Sequence, residues 1–454
     1  MSPIGGTSSH TYDTDGRSVA ATDALNRTWT TVFDAAGRKV AIQSPLGFLN
    51  STTYDLMNRA VAAISPLGFT STTVYDAASK VVASVNQLGF ATTYSYDPSG
   101  NQVVRRDAVG SLWTYAYDSL NRRTASTDPL GYIVSQTYNL VGKPAGTQDP
   151  RNGFITQLYD RRGNGLGTMN ELSFQTTQIY DGVGNLVGLT RFSGDLVTYQ
   201  YDALNRLTTT LFSLDSKNVT YTYDATGNRI ATYDQAGLTT YAYDSGNRLV
   251  GRTDQGGLVQ AYQYDNANQR IALTDPDGGI RNFTYDLDGR MLVFQDPQLL
   301  LTTYTWDSNG RKVQMRYASG LRTGYGYDAA GQVLTIQSDN VGSTLFTKFT
   351  FTYDPNGNRI VIQDLNSAWT TYSYDAKNRL TQDNTSGANA HVYTYSYDGN
   401  DNRLTSSETG ALTFWSYDAA NRIVTAVSGG LTTSFTYDRN GCNTKVAEGA
   451  GAVD

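Results

Sequence analysis

Carboxylates are the side chains of this chain best spaced to do chemistry, because they return at a fixed interval. Of the 41 acidic residues only Glu171, Glu408 and Glu448 are Glu, and many of the Asp residues follow a Tyr. Acids stacked by folding could reach the separations used in glycoside hydrolysis, where one carboxyl is the acid and another the base or nucleophile. Their uniformity argues against it, since catalysis needs one specialised site and these acids look alike. The two histidines, His10 and His391, lie far apart in sequence and have no recurring nucleophile beside them, so a Ser-His-Asp arrangement is not expected. Cys442 reads as an incidental thiol at a turn. Asp13-Thr14-Asp15-Gly16, Asp275-Pro276-Asp277-Gly278 and Asp286-Leu287-Asp288-Gly289 resemble calcium loops but lack the closing Glu, and read as turns. No catalytic, metal or cofactor site is expected.

The elements that position these acids follow from the repeat. Tyr-Asp, or the near-copies Phe33-Asp34, Tyr138-Asn139 and Trp306-Asp307, supplies 21 anchors, and 14 of their 20 intervals are 21 residues long. Such periodicity sets the architecture. Residues such as Tyr96, Asp97, Gly100, Tyr117, Asp118 and Arg122 then serve a lattice, as do Tyr201, Asp202 and Arg206. In the stretch around Tyr223-Asp224, Tyr221 and Tyr223 alternate with Thr, the period-2 mark of a strand. Gly227 turns the chain and Arg229-Ile230-Ala231-Thr232 returns it, so one repeat is a β-hairpin plus a connecting turn. The third residue after the anchor acid is Gly or Asn in 19 of 21 repeats. Those residues adopt positive φ most readily, as a type I turn with a following bulge demands. Ser79 and Asp401 are the exceptions.

An Arg one or two residues further on, as at Arg122, Arg206, Arg229 and Arg379, lies across the turn from the acid. The expectation is turn capping and charge pairing; an anionic-ligand or sugar-binding edge is the alternative. Tyrosines two apart, such as Tyr372 and Tyr374 ahead of Asp375, share a strand face. They read as the buried side of a sheet, with carbohydrate stacking as the alternative.

Composition supports an all-β chain rich in Tyr, Thr, Gly and Asn. The net charge of −6 comes without a basic patch, so nucleic acid is not an expected partner. One cysteine excludes an intramolecular disulfide framework. Residues Met1 to Gly6 show no signal peptide, and no stretch approaches the roughly 18 apolar residues of a membrane helix.

About 42 strands exceed what one open twisted sheet sustains. A leucine-rich solenoid lacks its Leu pattern here, and a propeller would need about ten blades. A long antiparallel sheet coiling on itself fits best. The unit Tyr221-Thr-Tyr-Asp-Ala-Thr-Gly-Asn-Arg-Ile230, with Tyr353–Ile360 and Tyr374–Leu380, resembles the YD repeat of RHS-repeat proteins. These include bacterial polymorphic toxins, insecticidal toxin-complex subunits and teneurins.

The resemblance implies hairpins spiralling into a hollow shell and an extracellular or cell-surface setting. In the toxins of the family the shell encloses a polypeptide effector. The expected role is a non-enzymatic shell segment around polypeptide cargo, or part of a larger RHS protein; adhesion through cell-surface glycans is the alternative. The Asp-Pro core motif that ends bacterial arrays is not found, so no self-cleavage is expected. Residues 1–454 read as one continuous array lacking caps and effector, with Ser2-Pro3-Ile4-Gly5 aligning with Ser44-Pro45-Leu46-Gly47 inside a repeat. The longest intervals read as long loops with candidate binding residues, Asp339, Asn340 and Ser343 in one and Asn384 and Asn389 in the other.

Overall fold

The computed structural model of the chain describes residues 7–214, 217–340 and 345–450. Ser343 and the terminal residues Ser2–Gly5 and Gly451–Asp454 lie outside them. Among the described residues the only regular elements are 42 strands, from β1 (Ser9–Tyr12) to β42 (Asn443–Ala450). Neighbours in sequence are neighbours in the sheet: β1 to β16 (Gly165–Met169) form one sheet, and β17 (Thr177–Tyr180) to β42 the other.

The hairpin turn has the expected geometry. In the repeat anchored at Tyr54, the Asp55 amide donates to the Arg59 carbonyl and the Asn58 amide to the Asp55 carbonyl. Asn58 has φ 62°, and the two exceptions to the Gly/Asn rule, Ser79 and Asp401, follow with φ 64° and 68°. The register then slips by one residue: Thr53 faces Ala62 but Tyr54 faces Ala60. That bulge sharpens the local twist at every anchor where it recurs.

The connecting turns use the same chemistry, which the anchor pattern alone did not reveal. The Ser44 amide donates to the Phe48 carbonyl, and Gly47 sits at φ 86°. Where the anchor interval shortens to 20 residues, a two-residue turn replaces this three-residue one. Thr409-Gly410 and Gly429-Gly430 both have positive φ at each central residue, the primed turn that matches strand twist.

Contacts cluster into two compact units. The first comprises residues 1–92, 221–352 and 364–366; the second comprises 93–220, 353–363 and 367–454. Little is deeply buried. Ala41, Val197, Ala272 and Phe283 are the buried apolar residues among those described, and no large side chain is wholly enclosed. The accessible surface is 25696 Å², against about 17,000 Å² for a compact monomer of this mass. Cohesion therefore comes from ladder hydrogen bonds and from contacts between neighbouring hairpins. The tyrosines line the more covered face, yet as half-buried groups and not as a closed core.

Candidate functional site

The recurring site is the joint between one hairpin and the next. The anchor Asp accepts backbone N–H groups two and four residues on: Asp118 Oδ1 takes those of Leu120 and Arg122, at 2.9 and 3.0 Å. Its Oδ2 takes Arg122 Nε at 2.7 Å. Asp202 and Arg206, Asp375 and Arg379, and Asp55 and Arg59 repeat the pair. The Arg122 side-chain bond, seconded by its backbone amide, holds the Asp118 carboxyl below the usual carboxylate range.

The Arg also reaches forward. Arg379 Nη1 donates to the Asp398 carbonyl at 2.9 Å and its guanidinium covers Tyr397 at 4.7 Å. The Tyr reaches back, as Tyr397 Oη donates to the Leu380 carbonyl at 2.8 Å. Tyr117, Tyr201 and Tyr374 do the same with Gln102, Leu186 and Arg359. Each Tyr-Asp-Arg set thus bolts two hairpins together.

The sequence reading merged two arginine positions that the structure separates. Within a hairpin turn, among the described residues, the Arg that forks onto the anchor acid is the one four residues after it. Arg229 stands five residues on; Asp224 instead takes Asn228 Nδ2 at 2.9 Å, and the Arg229 guanidinium lies over Tyr221 and Tyr241. The Asn228 and Thr226 side-chain bonds bring Asp224 down to about 2. Asp97 takes Asn101 in the same way. The alternation of the strand accounts for the split, because adjacent residues point to opposite faces.

A second recurring contact joins distant hairpins within each unit. In the first unit Asp288 Oδ1 accepts the Leu46 amide at 3.1 Å and Asn309 Oδ1 the Leu67 amide at 3.1 Å. In the second, Asn356 accepts from Ala108 and Asn440 from Ser193. The partners are 242 to 251 residues apart. One partner stands two residues after an anchor acid and the other lies in a connecting turn. A backbone amide of the connecting turn donates in the four pairs above, and the direction reverses at Asn400, whose Nδ2 donates to Asp149. Each unit is therefore two tiers of hairpins, the later seating its anchor turns on the connecting turns of the earlier. Arg290 over Phe48 and Arg311 over Phe69 reinforce the first docking. In the second unit Lys377 bridges Asp128 and Asp401 at 2.8 and 2.6 Å. Burial opposes its charge, but the two carboxylates outweigh that and raise its pKa.

Of the candidate residues in the irregular intervals, Asp339, Asn340 and Asn384 fall in strands and Asn389 in a loop. The extra residues after Tyr327 lengthen strands β32 (Val333–Asn340) and β33 (Leu345–Tyr353). Asp339 pairs with Arg322 at 2.7 Å, and exposed Asn340 ends the strand. Asn384 lies in β36 (Leu380–Thr385), while Asn389 does sit in the following loop.

That second region carries the most varied side chains. The Asn389 carbonyl bonds His391 Nδ1 at 2.9 Å, and Asp383 lies 3.7 Å from its Nε2. Both imidazole nitrogens thus have an oxygen nearby. Tyr393 packs edge-on against His391 and donates to Glu408 at 2.7 Å, a bond that raises the phenol pKa. Trp369, exposed, donates its amide to Ser386 Oγ of the same loop. The result is a polar-aromatic platform. A Glu and a His beside an extended anchor interval were signals that the repeat pattern obscured. No cluster of metal-ligating side chains occurs among the described residues, and no helix is long and apolar enough to cross a membrane.

Comparison with known proteins agrees with this geometry. The Teneurin YD-shell family profile matches residues 174–353 and 340–448, and the RHS Repeat profile matches residues 101–133. No curated protein sequence matches the chain. Among solved structures, the TcdB2-TccC3-Cdc42 complex aligns with TM-score 0.66 at 14% identity, over 97% of this chain and 29% of that one. The TcdB2-TccC3 complex gives 0.65 at 14% identity, over 98% and 34%. The Photorhabdus luminescens Tc holotoxin pore gives 0.64 at 15% identity, over 97% and 28%. This chain spans about a third or less of the length of those it resembles, and the likeness shows a shared fold. The chain belongs to the Teneurin YD-shell family, among the RHS/YD-repeat proteins.

Proposed function

We propose that this chain is a wall segment of an RHS/YD shell that encloses a polypeptide cargo outside the cell, and that it does no catalysis itself. The observation that carries the reading is the uniform hairpin joint. Where an Arg stands four residues after the anchor acid, Asp, Arg and Tyr are spent on holding neighbouring hairpins together, as in the Asp375, Arg379 and Tyr397 set. Asn takes the place of the Arg at others, as at Asp224 and Asn228. A single layer of such hairpins exposes much polar surface on both faces, which suits a wall better than a closed globule.

Protease protection tests it. The complete open reading frame would be expressed and digested with and without a denaturant that melts the sheet. A polypeptide that survives only while the sheet is folded is the expected result. Equal digestion in both conditions would overturn the reading.

A second reading rests on the platform beside Asn389. Exposed Trp369, its backbone tied to Ser386 of the following loop, offers an aromatic face of the kind that stacks a sugar ring. A glycan array would separate the two, and Trp369→Ala should abolish any signal owed to this platform.

A further inference from the structure

We propose that the joint between the hairpins anchored at Tyr159 and Tyr180 is a seam that opens while its neighbours stay closed, with Tyr180 as its latch. Successive anchor turns follow a pairing rule. The residue four places after one anchor acid reaches toward the left-handed residue of the next turn. Where that left-handed residue is Asn, a short amide suffices: Asn101 donates to Asn121 Oδ1 at 2.8 Å and Asn358 to Asn378 Oδ1 at 2.6 Å. Asn185, Asn228 and Asn402 repeat the contact. Where it is Gly, which offers no side chain, the reaching residue is otherwise Arg, Lys or Gln. Lys143 then bonds the Gly163 carbonyl, and Gln269 that of Gly289. Asn164 is the one Asn of the set that meets Gly, at Gly184. Its amide bonds Asp160 at 2.9 Å and, among the described residues, nothing in the following turn.

The phenol bond is missing from this joint as well. Tyr159 and Tyr201, on either side, donate to the Pro144 and Leu186 carbonyls, each 15 residues back. Tyr180 instead turns its hydroxyl to Gln178 Oε1 of its own strand at 2.9 Å, and is 42% exposed. Between the two turns lies a slot of about 980 Å³ lined by Asn164, Gly165, Tyr180 and Gly184 among others.

The backbone ladder gives an independent sign. The joints on either side each pair three residues, with Thr147 facing Ile155 and Leu189 facing Val197 in the middle. Here Met169 and Gln175 form only an isolated bridge, and the sheet is interrupted between β16 and β17. The Thr176 amide still donates to the Thr168 carbonyl at 2.8 Å, but the Thr168 amide donates to Thr176 Oγ1 at 3.0 Å. Gly167 permits the kink. Its φ is 153°, whereas the equivalent Gly146 and Gly188 do not have positive φ, and a side chain at 167 would collide with the Thr176 carbonyl.

Turn contact, phenol bond and ladder thus fail at the same joint. Closing it moves the Tyr180 hydroxyl from Gln178 to the Gly165 carbonyl, which exchanges one hydrogen bond for another and costs little. Packed interfaces switch between such discrete arrangements and do not deform continuously. In the open state the edges of β16 and β17 part. This follows from the joint itself, whether or not the chain encloses cargo.

Amide hydrogen exchange of the full chain tests the seam. The Thr176 amide should be less protected than Ile155 and Val197, its equivalents on either side, by about tenfold or more. Gly184→Asn supplies the missing acceptor, at a kind of position where Asn205 sits at φ 59° and with nothing close to a new Cβ. Protection at Thr176 should then rise to that of its equivalents. Asn164→Lys, long enough to reach the Gly184 carbonyl as Lys143 reaches that of Gly163, should do the same. Gly331→Asn makes the same change in a joint that Arg311 already holds, and should leave Thr323 of that joint unchanged. The latch shows in combination. Tyr180→Phe should not alter Thr176 in the wild-type background, and should undo the gain made by Gly184→Asn. Equal protection at Thr176, Ile155 and Val197 in the wild-type chain overturns the seam. Fast exchange at Thr176 that neither Gly184→Asn nor Asn164→Lys slows overturns the pairing rule as its cause. Tyr180→Phe acting alike in both backgrounds overturns the latch.

Discussion

Arg59 holds Tyr75 from the neighbouring hairpin: its guanidinium lies 4.6 Å over the ring, and Tyr75 Oη donates 3.1 Å to the carbonyl of Ala60, the residue after Arg59. The same Arg forks onto Asp55 and donates from Nη1 to the Asp76 carbonyl at 2.9 Å. With Ser79 Oγ at 3.1 Å, four groups from two hairpins meet on one planar cation, which a point-charge ammonium cannot reproduce. Arg59→Lys should therefore cost about 1–2 kcal/mol, and Tyr75→Phe about 1 kcal/mol through the lost hydroxyl bond. Urea denaturation of the two single variants and the double variant would measure the coupling. A coupling energy of zero would sink the view that the hydroxyl bond and the cation act as one joint.

Turn positions offer the reverse effect. Ser79 and Thr409 adopt φ 64° and 47°, where Asn and Gly are at ease and other residues are strained. Ser79→Asn and Thr409→Asn should each stabilise the chain by about 0.5–1 kcal/mol. At position 79 the new amide oxygen can also replace Ser79 Oγ as the acceptor for Arg59, as Asn58 does for Arg38. A fall in melting temperature for both variants would contradict the turn assignment.

Much of this was legible in the residues. The positive-φ requirement at anchor turns, the all-β class and the hairpin repeat follow from local chemistry that each repeat states afresh. Even the intervals of 20 residues carry information, because Thr409-Gly410 and Gly429-Gly430 are two-residue turns one residue shorter than the rest. The tier docking was not legible. Asp288 and Leu46 are 242 residues apart, and nothing local distinguishes Asp288 from any turn acid. The split between Arg206 and Arg229 was also missed, since a shift of one residue along a strand changes the face. The region around His391 was flagged by its length alone; its pairing with Asp383 and Tyr393 needed the register of β36 with β37 (His391–Tyr397).

The anchor carboxylates should set the acid limit of stability. Asp13, Asp34, Asp55, Asp118 and Asp202 all titrate below the ordinary value, and Asp224 falls to about 2. A group whose folded pKa is depressed contributes stability above its unfolded pKa and loses it as pH falls through the folded one. The chain should hold a constant guanidinium midpoint from pH 7 down to about 4, then lose stability between about pH 4 and 2. Asp224→Asn should lower the midpoint at pH 7 and flatten part of the acid limb. A midpoint that rises on acidification, or an acid limb identical in Asp224→Asn, would show that these bonds do not govern the transition.

Tier docking can be tested by exchanging the two kinds of anchor turn. Asp288→Leu places at a docked position the residue type found at Leu120 and Leu204. It removes the acceptor of both the Leu46 amide and the Ser44 hydroxyl, and leaves those donors without their partner at a cost of about 1–3 kcal/mol. Amide hydrogen exchange should then accelerate at Leu46, while Gly37, whose amide is bonded within its own turn to the Asp34 carbonyl, keeps its protection. Asn356→Leu should do the same to Ala108 in the second unit. Equal acceleration at Leu46 and Gly37 would mean global destabilisation, and would remove the residue two places after the anchor acid as the determinant of how tiers seat.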